Sequence, residues 1–113
     1  MKIIVTGGLG LIGHNVVRQL VDLGHEVFII DNSTNYGIVP ISEINYLIEK
    51  RREKIPGVFT YSADVAEVVS IERIIRTLRP DAIIHLASFP RQKVVNADPV
   101  LASRVMSTGL LNI

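Results

Sequence analysis

The sequence predicts an α/β fold in which one parallel sheet carries helices on both faces. Three observations point there. Short β-branched runs alternate with longer stretches of helical period along the whole chain. Gly or Pro marks most of the changes of period. The chain has 113 residues, 48% of them hydrophobic and 20% charged, which is one domain's worth of chain with the composition of a packed core. Alternating strands and helices favour parallel pairing, because each return to the same sheet edge needs a crossover long enough to hold a helix.

The first strand is Lys2 to Thr6, a run of the kind buried on both faces of a sheet. Leu11 to Leu23 then changes to helical spacing. Ile12, Val16, Val17, Leu20 and Val21 form its apolar face, and Gly24 is its C-cap. Glu26 to Ile30 is the second strand, closed by Asp31 and Asn32. Asn32 to Pro40 is a polar loop containing Gly37.

Ile41 to Lys54 reads as a helix with Ile41, Ile44, Leu47 and Ile48 on one face. Its last turns hold Lys50, Arg51, Arg52 and Lys54, where cations complement the helix dipole, and Pro56-Gly57 breaks it. Val58 to Tyr61 is the third strand. Glu67 to Leu78 is the third helix, with Val68, Ile71, Ile75 and Leu78 on one stripe and Pro80 as its stop. Asp81 to Ala87 is the fourth strand. A polar loop around Lys93 follows. Asp98 and Pro99 then suit the N-cap and first turn of a last helix that runs to Ile113. The β-α-β-α-β-α-β-α order, with right-handed crossovers, is half of a Rossmann-type fold with strand order 3-2-1-4.

Several function classes are excluded. A net charge of +1 gives no field for a polyanion, and 5% aromatics with no Trp gives no base-stacking platform, so no nucleic-acid partner is expected. Without Cys there are no disulfides or thiolate-bound metals. Three scattered His residues with no acid at ligand spacing do not make a metal site. No apolar run reaches the roughly 20 residues of a membrane span, and no signal-peptide pattern opens the chain, so a cytoplasmic protein without a membrane partner is expected.

The most informative segment is Thr6-Gly7-Gly8-Leu9-Gly10-Leu11-Ile12-Gly13, between the first strand and the first helix. Gly7 allows a tight turn, Gly10 lets a pyrophosphate approach the backbone, and Gly13 lets the helix pack close to the sheet. The helix N-terminus then presents N–H groups to phosphates. Asp31, at the end of the second strand, is placed to accept hydrogen bonds from an adenosine ribose. A carboxylate there repels a 2′-phosphate, which favours NAD over NADP.

These residues resemble the TGGxGxIG loop of the extended short-chain dehydrogenase/reductases, and in particular the NAD-dependent nucleotide-sugar epimerases and dehydratases of the UDP-glucose 4-epimerase kind. Asp31-Asn32 is similar to that family's ribose-binding acid, and Asp64-Val65 to its Asp-hydrophobic pair beside the adenine. His85-Leu86-Ala87-Ser88 resembles the HLAA segment that lines the cofactor. Asn96 to Leu111 resembles the NP…NVxGTxNL helix, with Arg104 in place of its Asn and Ser107 in place of its Gly. The resemblance implies NAD as cofactor. It implies contacts from Gly7, Gly10, Leu11, Ile12, Gly13, Asp31, Asn32, Asp64, Val65, Leu86, Ala87 and Ser88. It also implies a nucleotide-sugar near the loop after the fourth strand, bringing Arg91 and Lys93 toward phosphate.

In the family, a Tyr-xxx-Lys pair beyond a fifth strand does the acid/base chemistry. Residues 1–113 therefore read as the NAD-binding half-domain, without the later strands, the substrate-binding part or a catalytic residue, and so inactive alone. A stand-alone non-catalytic dinucleotide module and one chain of a split enzyme are the rival readings. Tyr46 and Lys50 repeat the Tyr-xxx-Lys spacing, but on the second helix, where residues four apart are neighbours by geometry alone. His14 reads as a surface helix residue, His25 as a solvated turn residue and His85 as a structural strand-end histidine. Ala82 to Leu86 has no partner on its outer edge, which predicts self-association or pairing with a complementary chain.

Overall fold

The computed structural model describes residues 1–89 and 91–113. Its elements are β1 (Lys2–Thr6), α1 (Gly13–Asp22), β2 (Glu26–Asp31), α2 (Ile41–Glu53), β3 (Phe59–Ser62), α3 (Val68–Leu78) and β4 (Ala82–His85). There follow α4 (Gln92–Ala97), α5 (Pro99–Ser103), a π-helical segment (Arg104–Thr108) and α6 (Gly109–Leu111). The sheet is parallel throughout, in the order β3-β2-β1-β4. The 3-2-1-4 half of a Rossmann-type fold is therefore what the chain forms.

Alternation along the strands builds two cores. Ile3 and Val5 of β1 join Val27 and Ile29 of β2 beneath α1, with Val17, Leu9 and Ile55 completing that side. Ile4 and Ile30 face the opposite way, against Ile71, Ile74 and Leu78 of α3 and Ala102 and Val105 of the last helix. β1, an interior strand, is buried from Ile3 to Thr6, whereas β3 and β4 at the edges are at best half-buried. α2 contributes no buried residue; Ile41 is exposed and only Ile48 packs partly against the core.

The structure corrects the sequence reading in four places. α1 starts at Gly13 rather than Leu11, and its inward face is Gly13, His14 and Val17, while Ile12 and Val21 are exposed. A helix that packs through a glycine lies closer to the sheet, so the stripe centred on that glycine turns inward. On α3 the buried positions are Ile71, Ile74 and Leu78, with Val68 exposed. Lys93 lies in the short helix α4 rather than a loop. The last helix widens into a π segment at Arg104–Thr108. The glycine that packs closely there is Gly109, two positions past Ser107. A Cβ on it would come 2.8 Å from Val65 Cγ2, and Asn112 Nδ2 donates to the Val65 carbonyl at 2.9 Å.

Candidate functional site

The chain leaves β1 toward β2 on one side and returns through β4 on the other. The carboxyl ends of β1 and β4, paired at Thr6 and His85, thus flank the point where strand order reverses. Open α/β sheets leave a crevice at that point. Here it is a cleft of about 750 Å³. Gly7, Gly10, Leu11, Ile12 and Gly13 line it from the glycine loop, and Asp31 and Asn32 from the end of β2. Asp64 and Val65 line it from beyond β3, and Leu86, Ala87 and Ser88 from beyond β4. The twelve residues that the resemblance implies for the cofactor therefore all border one space.

The loop is held by contacts that only glycine permits at two positions. Gly7 has φ +68°, and a Cβ there would lie 2.7 Å from the Ala87 nitrogen. At Gly13 a Cβ would overlap the Gly7 carbonyl oxygen and come 2.8 Å from Gly8 Cα. The glycines thus pin α1 against the turn. Among the described residues no side chain caps the start of α1. Among the described residues, the amides of Leu11, Ile12 and Gly13 have no backbone acceptor, while Gly10 N donates to Gly7 O at 3.0 Å. Three amides without a protein acceptor at a helix N-terminus form an anion cradle. The Leu11 and Ile12 side chains are exposed beside it.

Asp31 braces the same loop. Its Oδ2 accepts from the Leu9 amide at 2.9 Å and its Oδ1 from the Ser33 amide at 2.8 Å. Each oxygen keeps a further lone pair for a hydroxyl. The segment after β2 is shaped by side chains bonding their own backbone: Asn32 Oδ1 accepts from Thr34 N, and Asn35 Oδ1 from Gly37 N. Asp64 Oδ1 accepts from the Ala66 amide at 2.9 Å, so it orders its own loop while bordering the cleft.

Thr6 and His85 tie the two strand ends together. Thr6 Oγ1 accepts from the Leu86 and Ala87 amides, both at 3.1 Å. Its own proton therefore goes to His85 Nδ1, 2.7 Å away. His85 is then the tautomer with its proton on Nε2. Burial holds its pKa below the ordinary 6.5. Above pH 6.5 the ring is neutral in both folded and unfolded chains, and its contribution is complete. As pH falls through the folded-state pKa, the unfolded chain takes the proton first and that stability is lost. Thermal melts from pH 7.5 to 5 are expected to fall more steeply for the wild type than for His85→Gln. Equal slopes would contradict the bond pattern.

Sequence reasoning missed three residues at the site. His14 is not a surface residue: it is 3% exposed, and its Nδ1–H donates to the Gly10 carbonyl at 2.8 Å, holding the loop from below. Tyr36, at φ 55°, stacks on Phe89 with ring centroids 4.0 Å apart. Burial, then the charges of Asp64 and Asp31, push its phenol above its usual pKa, so it stays a neutral donor at the cleft wall. Arg51 reaches from α2 to donate to the Leu9 carbonyl at 2.8 Å. Only the helical spacing and the polar end of β1 hinted at any of these.

Other candidates fall elsewhere. Tyr46 and Lys50 lie on the outer face of α2, with Lys50 paired to Glu53 at 3.0 Å and both side chains outside the cleft. Arg91 and Lys93 do not line it either. Arg104 pairs with Glu67 at 3.6 Å on the surface. Among the described residues no His, Asp and Glu cluster suits a metal, and no helix is long and apolar enough to cross a membrane.

The family model described as GDP-mannose 4,6 dehydratase matches residues 4–113. The chain belongs to that family. A probable dTDP-glucose 4,6-dehydratase of Sinorhizobium fredii is 34% identical over 110 residues, covering 96% of this chain and 29% of that protein. A UDP-glucose 4-epimerase of Neisseria meningitidis is 36% identical over 101 residues, or 88% of this chain and 27% of that one. Among solved structures, the UDP-glucose 4-epimerase of Thermus thermophilus in complex with NAD superimposes with a TM-score of 0.78 at 34% identity, over 99% of this chain and 32% of that one. The chain thus spans under a third of the length of these family members.

Proposed function

We propose that the cleft binds NAD, and that residues 1–113 are the dinucleotide-holding part of a nucleotide-sugar epimerase or dehydratase. The uncapped start of α1 carries this reading, with its amides bare toward the cleft beside Asp31. Leu11, Ile12 and Gly13 hold the pyrophosphate, Asp31 and Asn32 the adenosine ribose, and Asp64 and Val65 border the adenine. Leu86, Ala87 and Ser88 wall the side toward the nicotinamide. The bound nicotinamide supplies a hydride acceptor for a sugar hydroxyl carbon. The relatives' names support a nucleotide-sugar as the substrate of the assembled enzyme. Titration calorimetry is expected to give saturable NAD⁺ binding. Asp31→Ala should weaken it by about tenfold to a hundredfold, the scale of hydrogen bonds to a charged group. Absence of heat with both NAD⁺ and NADH would overturn the reading.

A second feature concerns assembly. Among the described residues β4 pairs only with β1, its residues are half-buried, and Val100, Leu110 and Leu111 of the last helix are exposed. Bare parallel edges recruit strands. We infer that this edge takes up a further strand, and the 113-residue chain by itself is expected to self-associate through it. Light scattering that gave a clean monomer at high concentration would contradict this.

A further inference from the structure

The Leu9 main chain is gripped from both sides: its amide donates to Asp31 Oδ2 and its carbonyl accepts from Arg51 Nη1. A carboxylate and a guanidinium therefore hold the two ends of one residue at the adenosine end of the cleft, and both line it. Arg51 is half-buried, yet among the described residues no carboxylate lies within 4.0 Å of its guanidinium. One donor is spent on Leu9, and a guanidinium has five in a planar fork. A partly desolvated cation without a counter-ion, on the wall of an anion-accepting cleft, is suited to receive a phosphate.

We propose that Arg51 is a specificity-determining residue for the cofactor's adenosine ribose: it offsets the repulsion of Asp31 toward a 2′-phosphate and receives that phosphate when Asp31 is neutralised. This rests on the dinucleotide reading above. Asp31 alone makes the site exclude NADP. With Arg51 beside it, the exclusion is partial, and one substitution is enough to reverse the preference.

The test is the ratio of NADP⁺ to NAD⁺ affinity, measured by calorimetry in the wild type, Asp31→Asn, Arg51→Gln and the double variant. The ratio cancels any general loosening of the glycine loop and any contact to the pyrophosphate, which both cofactors share. The wild type is expected to prefer NAD⁺. Asp31→Asn should raise the ratio by at least about tenfold, the scale of one charge-assisted contact. Arg51→Gln should lower the ratio in either background, and Arg51→Lys, which keeps the charge, should retain part of it in the Asp31→Asn background. The gain in Asp31→Asn should also shrink as salt is raised, as a charge contact does. If NAD⁺ binds but the ratio ignores Arg51 in both backgrounds, the inference is overturned alone. If the wild type binds neither cofactor, the dinucleotide reading fails and takes the inference with it.

Discussion

Gly13→Ala is expected to destabilise the chain strongly and to abolish measurable NAD⁺ binding. The added methyl would overlap the Gly7 carbonyl oxygen and sit 2.8 Å from Gly8 Cα, so both obstacles are backbone and no rotamer change relieves them. Either α1 lifts away from the turn, uncovering Val17 and Leu9, or the glycine loop opens and the cradle of amides is lost. Overpacking costs about 1–3 kcal/mol where side chains can yield, and the cost here is expected at or above the top of that range because both obstacles are backbone. That is a large part of the roughly 5–15 kcal/mol typical of a whole domain. Gly24→Ala is the matched control at the other end of α1. Its φ is +84°, but nothing lies within 4 Å of a Cβ there. Only the left-handed backbone is strained, at about 1–2 kcal/mol. Urea melts should therefore separate the two variants clearly. Similar losses for both would mean that α1 does not depend on close contact at Gly13.

Thr6→Val is expected to lower stability by about 1–3 kcal/mol, although shape is nearly conserved and the residue is fully buried. The Leu86 amide keeps the Thr6 carbonyl at 3.1 Å as a second acceptor, but the Ala87 amide and His85 Nδ1 lose the Thr6 hydroxyl that satisfies them. The strand ends would then no longer be tied, and the wall formed by Leu86, Ala87 and Ser88 would loosen. Thr6→Ser keeps the hydroxyl and should recover most of the loss. The specific signature is at His85. Imidazole nitrogen shifts should report a single Nε2–H tautomer in the wild type and in Thr6→Ser, and a mixture in Thr6→Val. A wild-type spectrum with the proton on Nδ1 would contradict the arrangement of donors around Thr6.

The fold and most of the site were legible in the sequence because both are written in local signals. Each strand is a short apolar run, each crossover has its own period, and the glycine spacing sits at the only junction where it has meaning. What stayed hidden depends on contacts between distant segments. Arg51 lies 42 positions from Leu9, and on its own helix it looks like one more cation at a C-terminus. His14 looks like a polar residue on a helix surface until Gly13 turns that face inward and the Gly10 carbonyl receives its proton. Ile12 looks like a core residue for the same local reason, yet it borders the cleft. The π segment has no compositional mark; it carries Val105 in the core and leads into Gly109 against Val65.

The most direct measurement is amide chemical-shift mapping during titration with NAD⁺. The amides of Leu11, Ile12 and Gly13 are expected to move together and saturably, with Leu9 and Ser33 following as Asp31 engages the ribose. Amides of α1 and its loop that stay still at saturating NAD⁺, or saturable shifts confined to α2 and α4, would contradict binding at the helix head.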